Sequence, residues 1–209
     1  MAADVTSRHL TIVQGDGKDS AKISEALLVN NRVVDLIVSG IGLAPKISAF
    51  TWPPPLDDPN ICESAVNAVL DAIRSMSPSK KPILVAMSTT GISDFGRDIP
   101  ITMIPLYNLL LPVPHKDKKA MEAVIMQDAK SISPSLGGFI AIRPSFLTNG
   151  PEQGVAKVRI GLESPEKVES LVIGNTISRE DVGNWIFEQV LRQEESRERY
   201  LNHFVTLTY

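Results

Sequence analysis

At 209 residues, 43% hydrophobic and 22% charged, the sequence has the size and composition of one well-buried globular domain, which excludes a disordered or low-complexity chain. The formal charge is −3 and the lysines and arginines are scattered, so no basic face is offered and a nucleic-acid partner is not expected. Met1 to His9 is polar and reads as no secretory signal, no apolar run approaches the ~20 residues that cross a bilayer, and the single Cys62 can form no internal disulfide. The expectation is a soluble, cytoplasmic protein with no membrane partner.

Four short apolar runs, at Leu10–Val13, Val33–Val38, Pro82–Met87 and Phe139–Ile142, are apolar at consecutive positions rather than alternating. Strands covered by helices on both faces read this way, as parallel sheets do. Helical patterns fall between and after them. Asp19–Leu28 offers Asp19 or Ser20 as N-cap, and Asn60–Met76 carries apolar residues at spacings of three and four. Lys116–Asp128 groups Met121, Val124 and Ile125, and Ser178–Leu191 opens with a cap and two first-turn acids, Glu180 and Asp181. Ala44–Pro59, with Trp52 before three prolines, and Asp94–Pro114 read as long irregular connections. Phe204–Thr208 reads as a final strand. Alternating strands and helices predict an α/β fold with a parallel sheet.

Candidate chemistry collects where the strands end, which is where open α/β sheets keep their ligands. Gly15-Asp16-Gly17-Lys18-Asp19-Ser20 nearly spells the G-x-G-x-x-G phosphate turn, but Asp16 and Asp19 put carboxylates where phosphates would lie. A plain turn before a capped helix is the competing reading. Ser39-Gly40-Ile41-Gly42 closes the second run with glycines that let a flat ligand approach, or simply make a tight exit. Ser88-Thr89-Thr90-Gly91 closes the third with three hydroxyls that can bond a substrate carbonyl or a ribose, or form a turn. His115-Lys116-Asp117-Lys118-Lys119 opens a helix on which Lys118 and Glu122 can pair at the surface. Pro144 is expected to stop the ladder of the fourth strand and direct the chain outward.

In order and spacing, "HLTIVQGD", "VVDLIVSGIG", "KPILVAMSTTGIS", "HKDKKAMEAVI", "FIAIRPSFLTNGP" and "VIGNTISREDVGNWIFEQVL" resemble the atypical short-chain dehydrogenase/reductase superfamily, in particular its NmrA-like and biliverdin-reductase-B-like branches. The resemblance runs from His9 to Leu191 and implies a Rossmann-like domain over residues 1–209 that binds NAD(P) and acts on a small carbonyl or polycyclic substrate. It implies that Gly15 and Asp16 lie against adenine and that Ser39, Gly40, Ile41 and Gly42 run along the cofactor's ribose. Ser88 and Thr89 would face nicotinamide and substrate, Lys118 would orient the nicotinamide ribose, and Pro144 would edge the nicotinamide.

Two departures from the family pattern follow. The first strand–helix–strand unit with its G-x-x-G-x-x-G turn is not in this sequence, so the cofactor is expected to bind weakly. The strand at Leu10 must then pair with the one at Val33, leave an edge open, or borrow a partner from another copy, which makes an oligomer through an open sheet edge an expectation. Pro114 stands where the superfamily has its general-acid tyrosine, four residues before Lys118, and Tyr107 is out of register. Two functions remain open: an NAD(P)-dependent oxidoreductase, impaired as this chain alone, or a non-catalytic NmrA-like regulatory protein or enzyme remnant.

Overall fold

The structure is a computed structural model that describes residues 10–42 and 57–209, so most of the irregular connection at Ala44–Pro59 lies outside the described residues. Asp19 caps α1 (Ser20–Leu27), its carboxylate accepting from the backbone N–H groups of Ala21 and Lys22. A two-residue hairpin follows, β1 (Leu28–Val29) and β2 (Arg32–Val33), turned by Asn30 and Asn31 at φ 52° and 59°. Asparagine tolerates this left-handed conformation, which the twist of a tight hairpin demands. Only then does the chain enter β3 (Leu36–Ser39).

α2 (Ile61–Met76) and β4 (Ile83–Met87) are followed by one 3-10 turn (Ile101–Met103), α3 (Ile104–Leu110) and α4 (Pro112–Ala129). Prolines open both α3 and α4, at first-turn positions where the missing N–H costs nothing. β5 (Gly138–Pro144) is buried throughout, and β6 (Phe146–Thr148), β7 (Arg159–Glu163), β8 (Val168–Ser170) and β9 (Thr176–Ser178) come next. Ser178 caps α5 (Arg179–Trp185), which continues as a π-helical stretch (Ile186–Leu191) before α6 (Glu194–Tyr200) and β10 (His203–Thr208).

The main sheet has the order β3-β4-β5-β10-β7-β8. Its first four strands are parallel, whereas β7 runs antiparallel to β10 and β8 to β7, so the sheet is mostly rather than wholly parallel. Alternate residues of the strands feed two cores. On one face Leu84, Ala86, Phe139 and Ala141 pack under α1, α2 and α4; on the other Val85, Ile140, Ile142 and Val205 pack against Val182, Trp185 and Val190. Helices thus cover both faces, as the unbroken apolar runs require.

Two expectations are corrected. Leu10–Val13 forms no strand: Leu10 is 49% and Ile12 78% exposed, and no described strand lies beside them. β-Branched residues favour a pleated, half-buried surface, and without a partner their backbone is solvated instead. The run at Val33–Val38 is split, because Val33 belongs to the hairpin, while Asp35 keeps its carbonyl on Ile83 N at 3.0 Å and turns its side chain to Lys80 at 2.8 Å. Pro144 ends the ladder as expected: β5 stops there, its last pairing being with Leu207, and the carbonyl of Pro144 accepts from Thr90 N beyond the end of β4.

Candidate active site

The carboxyl ends of β3, β4 and β5 converge on the start of α4. Asp117, on the second turn of α4, is buried and accepts from the N–H groups of Cys62 and Glu63 at 2.9 and 3.0 Å. A side chain of α4 therefore caps the earlier helix α2. This long-range cap satisfies otherwise orphaned donors and locks α2 against α4.

With α4 fixed, Lys118 lands between the two strand exits. Its ammonium donates to Ile41 O at 2.9 Å and to Met87 O at 2.5 Å. An ammonium has three donors, and the Cys62 thiol lies within reach of the third. A side chain on Gly42 would place its Cβ 3.6 Å from that nitrogen, whereas the space over Gly40 is open. Gly42 and Lys118, with Asp58, Pro59, Cys62 and Pro114, line a cavity of about 60 Å³. Burial pushes the Cys62 thiol up to about 11, so it stays a neutral thiol there.

The turn at Gly15 and Asp16 reaches the same region. A Cβ on Gly17 would lie 2.8 Å from Ile41 Cδ1, so this turn and Ser39-Gly40-Ile41-Gly42 abut. Asp16 spends its carboxylate on its own loop, accepting from Lys18 N at 2.9 Å, and Lys18 in turn pairs with Asp58 at 2.7 Å.

The three hydroxyls after β4 separate. Ser88 is buried and donates to Glu122 at 2.5 Å, on the face covered by α4. Thr89, half-buried, donates to Thr90 O at 3.1 Å. Thr90 lies 3.3 Å from the Tyr107 hydroxyl, and its backbone N–H donates to Pro144 O at 3.3 Å. The structure therefore brings Ile41, Gly42, Met87 O, Thr89, Lys118 and Pro144 to one end of the sheet, and it turns Ser88 away from it.

Glu122 does not pair with Lys118. It takes two bonds from Arg143, at 2.9 and 2.7 Å, while Arg143 reaches Glu163 at 2.8 Å and lies 4.2 Å over the Phe204 ring. Burial alone would lower the affinity of Arg143 for its proton, but its two carboxylate partners outweigh this and raise it. The signal for this network was present in the sequence as an arginine inside an apolar strand, which requires a buried anion. A second group, Tyr107 and His115, escaped sequence reading. Their rings meet edge to face at 5.3 Å against Gly91, whose φ of +90° and lack of a Cβ let both approach. Gly91 N donates to Asp98 at 2.9 Å, and burial raises the Asp98 carboxyl above its ordinary value.

No protein-family profile matches the chain. Reductase pytE of Aspergillus terreus is 41% identical over 212 residues, spanning 96% of this chain and 78% of that protein. The chain belongs to the family of that reductase. Oxidase pynE of Aspergillus niger is 31% identical over 233 residues, spanning 96% of the chain and 79% of pynE. Among solved structures, the oxidoreductase ylbE of Lactococcus lactis shares 14% identity at a TM-score of 0.59, over 97% of this chain and 73% of that one. ChuY, an anaerobilin reductase of Escherichia coli O157:H7, gives the same identity, 14%, and the same TM-score, 0.59, over 94% and 74%. The chain thus belongs to an oxidoreductase family with a Rossmann-like fold. Among the described residues no helix is long and apolar enough to cross a membrane.

Proposed function

We propose that this chain is an NAD(P)-dependent oxidoreductase that holds the nicotinamide half of the cofactor at the carboxyl ends of β3, β4 and β5 and acts on a small carbonyl or polycyclic substrate. The observation that carries this reading is the Lys118 ammonium, held by Ile41 O and Met87 O on the cavity it shares with Gly42 and Cys62. A bond from this ammonium to a ribose hydroxyl is charge-assisted, and a bond of this kind is about twice as strong as a neutral one. Thr89 and Pro144 lie at the exits of β4 and β5, at the same end of the sheet, and Gly40 and Gly42 let a flat ring approach the backbone.

When bound, the cofactor supplies or accepts the hydride. The protein's part is to orient the ribose through Lys118 and to keep the floor of the site dry with Thr90, Tyr107 and Pro144. The other half of the cofactor is less well provided for, because the Asp16 carboxylate stands at the turn that would meet it. Binding by the ribose end alone favours an affinity in the millimolar range, roughly −4 kcal/mol.

Two observations favour a second reading, a nucleotide-responsive protein without turnover. Pro114 replaces the tyrosine that would donate a proton beside Lys118, and Ser88 is committed to Glu122. Titration of the purified chain with NADPH, followed by fluorescence, tests both. Lys118→Ala is expected to weaken binding tenfold or more, about 1.4 kcal/mol. Lys119→Ala is the control, because its ammonium is already occupied by Ile92 O and Asp94, each at 2.6 Å. Equal, negligible effects of the two substitutions overturn the site. Binding without oxidation of NADPH across carbonyl substrates selects the second reading.

A further inference from the structure

Lys118 reaches Met87 O and Ile41 O on a flexible four-carbon stem, so the place of its ammonium depends on how α4 sits against the exit of β4. One bond ties the two. Ser88, the residue after Met87, donates to Glu122, one helical turn after Lys118, at 2.5 Å. Adjacent residues of the strand exit are thus joined to two neighbouring residues on one face of the helix. Ser88 and Glu122 are 6% and 2% exposed, so water does not compete for this bond.

The Glu122 carboxylate is itself held from behind. Arg143 of β5 donates through Nε to Oε1 at 2.9 Å and through Nη2 to Oε2 at 2.7 Å. This two-point grip fixes the plane of the carboxylate and keeps Oε1 turned to Ser88. The guanidinium is fixed in turn by the Phe204 ring, 4.2 Å away, and by Glu163 of β7 at 2.8 Å. Ser93 donates to the other oxygen of Glu163 at 2.6 Å. Ser88 and Ser93 therefore end the same chain of bonds, but only Ser88 adjoins a carbonyl that holds Lys118.

A buried ion network adds little to stability that apolar side chains of similar volume would not supply. Its contribution here is geometric. We propose that Glu122 is a positioning residue: through Ser88 it sets α4 against β4 so that the Lys118 ammonium meets Met87 O and Ile41 O. The consequence for the cofactor, a weaker hold on the ribose once the bond is lost, rests on the function proposed above. The placement of Lys118 is measurable without any cofactor.

The test reads both on the full chain. Acetylation of Lys118 by acetic anhydride, followed by peptide mass spectrometry, reports how firmly the ammonium is held, and NADPH fluorescence titration reports its use. Ser88→Ala removes the bond and leaves Glu122 on Arg143. It should speed Lys118 acetylation about fivefold and weaken NADPH binding about as much, the factor that one lost hydrogen bond carries. Ser88→Thr, which keeps the hydroxyl, should restore both. Ser93→Ala removes a bond of the same kind at the other end of the network; it should lower the melting temperature as much as Ser88→Ala and leave Lys118 acetylation unchanged. In a Lys118→Ala background, Ser88→Ala should weaken NADPH binding no further. Unchanged acetylation in Ser88→Ala, equal acetylation in the two alanine variants, or additive losses of affinity in the double variant would overturn the positioning role. Faster acetylation with unchanged NADPH affinity would uphold that role and sink the cofactor reading instead.

Discussion

His115 shows how a single ring can report on the whole site. Its Nε2 is buried without a hydrogen-bond partner among the described residues, and burial lowers its pKa from 6.5 to about 4. The folded protein therefore holds the neutral ring, while the unfolded chain takes up a proton below about pH 6.5. Stability from this group is present above pH 6.5 and is lost as the pH falls toward 4. After allowing for the part of the ring that solvent reaches, the loss should be about 2 kcal/mol. Urea unfolding at pH 7 and pH 4.5 measures it, and His115→Leu should remove that share of the pH dependence. An unchanged slope in the variant would place the ring in a solvated setting. Lys118 was legible in the sequence because its spacing matched a known pattern. Tyr107 and His115 were not, because Gly91 brings them together across a connection that has no periodic signal.

At the scale of elements, the carboxylate of Asp117 decides where α2 begins. Asn60, at the N-cap position, makes no side-chain cap, and the free N–H groups of Cys62 and Glu63 are satisfied from α4 instead. Asp117→Ala leaves two donors with nothing to bond, and should cost about 1–3 kcal/mol. Because Lys118 is the next residue, the same change should also weaken NADPH binding. Amide exchange confined to the first turn of α2 would separate this from general loosening. Exchange unchanged at Cys62 and Glu63 would mean that the cap contributes nothing. The long apolar-striped elements α2, β4, β5 and the core of α4 were readable, since burial on one face or on both imposes a period or a run. β6 to β9 were not, being short strands that contain Arg159, Glu163 and Glu169 and are set by pairing rather than by propensity. α3 was hidden by Pro105, Pro112 and Pro114, which read as helix breakers but stand at helix starts.

For the molecule as a whole, the sheet ends in two different ways. On one side β7 and β8 form an antiparallel hairpin of charged residues, which discourages further pairing. On the other, β3 pairs with β4 alone among the described residues, and its outer edge is neither charged nor bulged. Val38 on β3 is 45% exposed, and Leu28 and Val29, just before it in the chain, are 47% and 54% exposed. An apolar edge with unsatisfied N–H and C=O groups is a template for another strand. Two copies related by a two-fold axis would meet β3 to β3 in antiparallel register and continue the sheet across the dimer, burying Val38 from each. Light scattering after size exclusion should therefore show twice the chain mass at micromolar concentration. Val38→Lys, which places a charge on the edge, should return it to one chain mass without loss of helical signal. Leu191→Lys, on the π-helical stretch far along the chain and 47% exposed, should leave the dimer intact. A single-chain mass for the unaltered protein would mean that the β3 edge stays solvated, and equal effects of the two substitutions would mean that the association is not through this edge.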